Sequence, residues 1–241
     1  MRTVLFLLLS GLKWGKLATT GGTMLLSLAI YATIWGWRYA AGFVALLLVH
    51  EMGHYVAARQ CGLNVGAPTF IPFVGAWIAL KEQPMDAEVE AYVAMAGPLI
   101  GTVGALLVYF AGRAYDSNIL LAIAYAGLFL NLFNLLPLSP LDGGRITAII
   151  SPRIWLIGAP IMVALVLYRP SPVLIMVAIL SLPQLMHAWR YDPKAPENIA
   201  YYGVEPQTKL EYGAAYLALT GFLAVMTYEL HEMIGTGGHN G

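Results

Sequence analysis

Long apolar stretches separated by short polar ones dominate this chain. The apolar stretches predict helices at Thr20–Gly36, Tyr39–Gln60, Ala87–Gly112, Ile119–Leu136, Ile154–Tyr168, Val173–Trp189 and Leu210–Met233. The fifth and sixth are short and read equally as a tilted or partly inserted pair. The segment Leu63–Gln83 breaks the pattern: Pro68 and Pro72 interrupt it, and Gly66 and Gly75 punctuate Thr69-Phe70-Ile71 and Ala76-Trp77-Ile78-Ala79-Leu80. Two short strands in a hairpin or sheet edge are expected there, against the alternative of a partly buried connecting loop. The fold class expected is therefore an all-α polytopic membrane protein of six to seven transmembrane helices, with a short β-like segment after the second.

Composition sharpens this picture. Of 241 residues, 59% are hydrophobic and 11% charged, where a soluble domain carries about 25% charged residues. The mean hydropathy of +0.70 agrees. The formal net charge is zero, which gives no reason to expect a nucleic-acid partner. The single cysteine, Cys61, excludes an internal disulfide and a cysteine-built zinc site. Residues 1–19 contain an apolar run too short to span a bilayer, and Lys13 and Lys16 follow that run instead of preceding it as in a signal peptide. An interfacial segment held by Trp14 and these lysines is expected, and a flexible tail over residues 234–241. The whole chain reads as one membrane-embedded domain.

Lysine and arginine positions set an orientation. With the N-terminus in the cytoplasm, only Arg38, Arg113 and Arg169 of the 13 basic residues fall outside. This places the end of the second span, at Arg59, on the cytoplasmic side.

Within that span lies His50-Glu51-Met52-Gly53-His54. On a helix the histidines are i and i+4, so both imidazoles point the same way and can share one Zn²⁺. Glu51 falls beside the metal, where a general base is needed. Ionisable groups in lipid are costly, and three together call for a function. His54 lies roughly 8 Å and His50 roughly 14 Å below the cytoplasmic helix end, at 1.5 Å per residue. Two histidines leave zinc short of ligands. Asp142, closing a proline- and glycine-broken segment after the fourth span, sits on the same side and supplies a third; an ordinary Asp-Gly turn is its bland reading.

HEMGH on one span and Asn134-Leu-Leu-Pro137-Leu-Ser-Pro140-Leu-Asp142-Gly on a later one resemble the two signature motifs of the site-2 protease family, membrane-embedded zinc metallopeptidases. Ala96-Gly97-Pro98-Leu99, continuing through Gly101 and Gly104, is similar to the family's third core span. The resemblance covers residues 39–150, the expected catalytic core. It implies zinc held by His50, His54 and Asp142, Glu51 as catalytic base, and a bundle of transmembrane helices around a three-span core. It also implies a transmembrane protein as substrate and Asn134 as a contact to the substrate backbone. Further substrate contacts are expected at Pro137, beside a polar path for water, and at Thr69 and Ala76 on a strand edge that could hold an unwound substrate. The longest non-membrane segments, Leu63–Gln83 and Arg190–Lys209, leave no room for an inserted PDZ domain or a CBS pair, so a compact form is expected.

Two rival functions share parts of this pattern. A membrane zinc peptidase acting on soluble or lipidated peptides would take a glutamate from a later helix as third ligand. A metal-binding, transporter-like protein would have little use for Glu51. Among other polar residues, His187 reads as a helix-end group and His231-Glu232 as an interfacial end lacking a second histidine. His239 falls in the tail, and Glu88 and Glu90 suit a helix N-terminus. Asn131 is expected to make an interhelical hydrogen bond, while the motif favours Asn134 for function.

Overall fold

The computed structural model describes residues 21–66, 69–71, 75–77 and 84–237. The expected interfacial segment 1–19, the prolines at 68 and 72, and the run Ile78–Leu80 lie outside these residues.

The helices are α1 (Gly21–Trp35), α2 (Trp37–Gln60), α3 (Ala87–Ala114), α4 (Asn118–Asn134), α5 (Asp142–Ala148), α6 (Trp155–Tyr168), α7 (Pro172–Arg190), α8 (Pro196–Tyr202) and α9 (Pro206–Gly237). A 3₁₀ turn, Pro152–Ile154, leads into α6. Among the described residues, α2, α3, α7 and α9 are long and apolar enough to cross a membrane; α1, α4 and the 152–168 segment are apolar but shorter. Two elements go beyond the apolar pattern. The short helices α5 and α8 carry polar residues in places read only as connections. Helix α9 also runs through Gly237, so the first residues of the expected tail are helical; residues 238–241 lie outside the description.

Between α2 and α3, strands β1 (Thr69–Ile71) and β2 (Gly75–Trp77) pair antiparallel, with Thr69 opposite Trp77 and Phe70 opposite Ala76. Strand β2 lies against α2.

The helix ends are set by local chemistry. Gly62 follows α2 at φ 76°. Its N–H donates to the Arg59 carbonyl at 3.1 Å, and the Leu63 N–H donates to that of Ala58 at 2.9 Å. This Schellman pair closes the helix, and Leu63 packs back on Ala57, Ala58 and Val93 as the accompanying apolar contact. At the start of α3 the Asp86 carboxylate accepts from the Val89 N–H at 2.8 Å, and Glu88 and Glu90 follow in the first turn.

Helix α3 packs along both α2 and α4, and α9 covers α4. Leu46, Ala94, Ala105, Ala124, Leu128 and Leu223 form the largest buried apolar cluster between them. Small residues permit the close approach: a Cβ on Gly53 would strike the Ala96 carbonyl, and one on Gly104 would come within 2.9 Å of Val49. Helices α6 and α7 pair with each other and meet the core through α5 and the 3₁₀ turn. That leaves a large cavity between α7 and the α2–α4 side.

Candidate metal centre

His50 and His54 lie one turn apart on the buried face of α2, and Asp142 is the first residue of α5. All three are buried. The segment leaving α4 turns back through Leu138 and a cis Ser139–Pro140 bond to deliver Asp142. Its compactness demands glycine. A Cβ on Gly143 would overlap the Leu135 carbonyl, and one on Gly144 the Ser139 backbone. Outer helices hold this turn: Tyr216 of α9 donates to the Leu135 carbonyl at 2.6 Å, and the Trp155 indole donates to the Gly144 carbonyl at 2.8 Å.

The ligand atoms converge. His50 Nε2 and His54 Nε2 each lie 3.2 Å from Asp142 Oδ2, and 3.1 Å from one another. Zinc bonds of about 2.0–2.1 Å in a tetrahedral site require ligand atoms about 3.3 Å apart, so this triangle has the dimensions of one face of such a site.

The chemistry of the donors agrees. His54 Nδ1 lies 2.8 Å from the Val93 carbonyl, which can only accept, so that ring nitrogen carries the proton. His50 Nδ1 lies 2.8 Å from Asn131 Oδ1. The Asn131 amide nitrogen donates to the Gly127 carbonyl at 2.7 Å, which fixes the amide so that its oxygen faces the histidine. Both Nε2 atoms therefore present lone pairs to a carboxylate oxygen and to each other. Three acceptors at this spacing repel unless a cation sits among them, and these residues fit zinc. Val93 and Asn131 are the outer partners that fix ring orientation in such sites.

Glycines on α3 make room for this arrangement. A Cβ on Gly97 would fall on the His54 ring, and one on Gly101 on the Asn131 amide.

Glu51 is buried but lines the cavity together with the three ligands. The cavity has a volume of about 1190 Å³. Aromatic residues of α1, α2 and α4, including Trp35, Phe43 and Phe129, line it, as do His187 of α7 and Tyr201 of α8. Asn134 is on its wall. Pro137, expected at the substrate site, has its carbonyl against Gly158 of α6, where a Cβ would collide with it. Thr69 and Ala76 lie on β1 and β2, away from the three converging ligands in sequence but beside α2 through β2. His187 stacks near Trp155, with ring centroids 6.3 Å apart, and His231 near Tyr125 at 5.6 Å; neither joins the cluster.

The interhelical hydrogen bond expected of Asn131 is made to His50, one of the three converging residues. The available signal was its burial cost: an amide deep in an apolar helix needs a specific partner.

Residues 38–117 match the family model for peptidase family M50. The chain is similar to zinc metalloprotease Rip3 of Mycobacterium tuberculosis, 36% identical over 128 residues, or 48% of this chain and 32% of that protein. A zinc metalloprotease of Methanocaldococcus jannaschii is 30% identical over 53% of this chain and 38% of its own length. The chain thus spans about a third of the length of these relatives. Among solved structures, the site-2 protease from Methanocaldococcus jannaschii aligns over 69% of this chain and 85% of that one, with a TM-score of 0.46 and 22% identity.

Proposed function

We propose that this chain is a member of the site-2 protease family, a zinc metalloendopeptidase that cuts peptide bonds in or near transmembrane segments of membrane proteins. The observation that carries this reading is the convergence of two lone-pair Nε2 atoms and a carboxylate, with Glu51 beside them on a shared cavity. A zinc ion held by His50, His54 and Asp142 would polarise the scissile carbonyl and acidify a bound water. Glu51 takes the proton of the attacking water on its carboxylate and delivers it to the departing amine nitrogen. The Asn134 amide, on the cavity wall, hydrogen-bonds the substrate backbone near the cut.

The protein spans the membrane with six or seven helices, its N-terminus in the cytoplasm and the metal nearer the cytoplasmic face. The distribution of basic residues supports this orientation. A transmembrane substrate reaches the metal through the apolar side of the cavity between α4 and α7. Its peptide bonds are shielded while helical, so it unwinds locally, and the edge of the β1–β2 hairpin holds the extended chain by strand addition.

The test combines metal analysis of purified protein with cleavage of a model transmembrane substrate. Wild type should contain zinc and cleave. Glu51→Gln should retain the zinc and lose at least about 100-fold in cleavage rate, the usual contribution of a general base. Full activity in that variant, at unchanged zinc content, would remove Glu51 from the mechanism.

A further inference from the structure

Helix α5, which begins with Asp142, has seven residues and no side-chain cap at its start. A helix this short has little stability of its own, so its neighbours must set the position of the carboxylate. Arg145 lies one turn after Asp142, on the same face. Its Nε donates to Glu90 Oε1 of α3 at 3.2 Å. Glu90 in turn lies one turn before Val93, whose carbonyl holds the His54 ring. Adjacent turns of α3 thus hold one ligand directly and the helix of another through an ion pair, although α3 supplies no atom to the ligand cluster. The second Glu90 oxygen accepts from the Tyr201 hydroxyl of α8 at 2.8 Å. Tyr201 also lines the cavity, as do Glu90 and Arg145.

We propose that the Glu90–Arg145 ion pair, completed by Tyr201, is a positioning device that sets Asp142 against the two histidines and ties the metal geometry to α8 on the cavity wall. The requirement is geometric. One oxygen of Asp142 meets both Nε2 atoms at 3.2 Å, so a small rotation or slide of α5 breaks at least one side of the triangle. Arg145 prevents that motion because its planar guanidinium is anchored on a carboxylate whose other oxygen is already engaged. Burial, and then the adjacent Glu90 carboxylate, hold the Tyr201 phenol far above its ordinary range, so it remains a proton donor to Glu90 under all working conditions. Helix α8 has no buried residue of its own. It is fastened instead through Tyr201, through the Asn198 amide on the Asp192 carbonyl at 2.7 Å, and through Lys209 on the Tyr202 carbonyl at 3.0 Å.

This proposal rests on the zinc reading of the site. The experiment measures zinc retention of the purified full chain against a competing chelator, together with the visible spectrum of the cobalt(II)-substituted protein. Arg145→Gln and Glu90→Gln should each weaken zinc retention about tenfold or more, as loss of an outer partner does. The double variant should be no worse than either single one, because both remove the same interaction. The cobalt spectrum should change in all three, and Arg145→Lys, which keeps the charge, should recover part of the retention. Tyr201→Phe should give a smaller loss in the same direction. Unchanged retention and spectrum in a folded glutamine variant overturn the proposal, whatever happens to thermal stability. Should both glutamine variants fail to fold, Tyr201→Phe decides: a loss of retention supports the device, and wild-type retention and spectrum overturn it. Wild type that retains no zinc would overturn the metallopeptidase reading itself, a result distinct from either.

Discussion

At the scale of single residues, the centre is governed by which ring nitrogen of each histidine carries a proton. Asn131 and Val93 make that choice, one with a side chain and one with a carbonyl. The side chain is the one that mutation can test. Asn131→Ala leaves His50 Nδ1 without its acceptor and frees the ring to rotate, so zinc affinity should fall about 10- to 100-fold. Chelator competition on the folded variant measures this directly. Asn131→Asp keeps an acceptor oxygen facing the ring and should lose less. Equal losses in the two variants would mean that the acceptor oxygen facing His50 is not what holds the ring.

At the scale of elements, the crossing of α2 and α3 determines whether His54 has room. Gly97 is the tightest point, since the His54 ring occupies the space of its missing side chain. Gly97→Ala should cost about 1–3 kcal/mol through overpacking. It should also reduce zinc content, because the displaced group is a ligand. Thermal melts and metal analysis of the same preparation separate the two effects. The β1–β2 hairpin supplies a different element-scale prediction. Ala76→Pro removes one backbone N–H from β2, and proline is tolerated in a strand only where that N–H faces outward. Cleavage of a helical transmembrane substrate should slow, while zinc content stays near normal and a substrate already broken by a helix-breaking residue is partly spared. Equal slowing of both substrates would indicate general damage and would remove support for strand addition.

At the scale of the whole molecule, a metal held at this centre would tie together segments far apart in the chain. His50 and His54 come from α2, and Asp142 comes from beyond two further helices. Binding to the folded state alone adds stability by mass action, about 4 kcal/mol at free metal a thousand times the dissociation constant. Without the cation, three acceptor atoms at 3.1–3.2 Å face one another across a buried space. Zinc removal should therefore lower the unfolding temperature of wild type, and zinc return should restore it. His50→Ala should show neither the drop nor the recovery. An unfolding temperature indifferent to chelation in wild type would contradict a metal held at this point.

Much of this was legible along the chain because the membrane imposes strong local rules. Apolar length marks the helices, and the i, i+4 spacing of His50 and His54 fixes their common face without any tertiary information. Asp142 was legible for a related reason: the motif Asn134–Asp142 has its own signature. Other features had no local cause. The two short helices α5 and α8 have seven residues each, too few for an apolar period to mark them. That Asn131 is the amide facing the His50 ring depends on rotation about α4, which apolar residues on all sides leave unspecified. The pairing of Glu90 with Arg145 joins residues 55 apart in sequence, and Pro137 turns toward α6 because Gly158 lets the backbone approach there. The sequence by itself determined the helical framework and singled out the candidate ligands and the candidate base, since these rest on periodicity and residue chemistry. Only the tertiary structure decided which groups hold the ligands in place, because hydrogen-bond partners across helices are selected by crossing geometry and not by spacing along the chain.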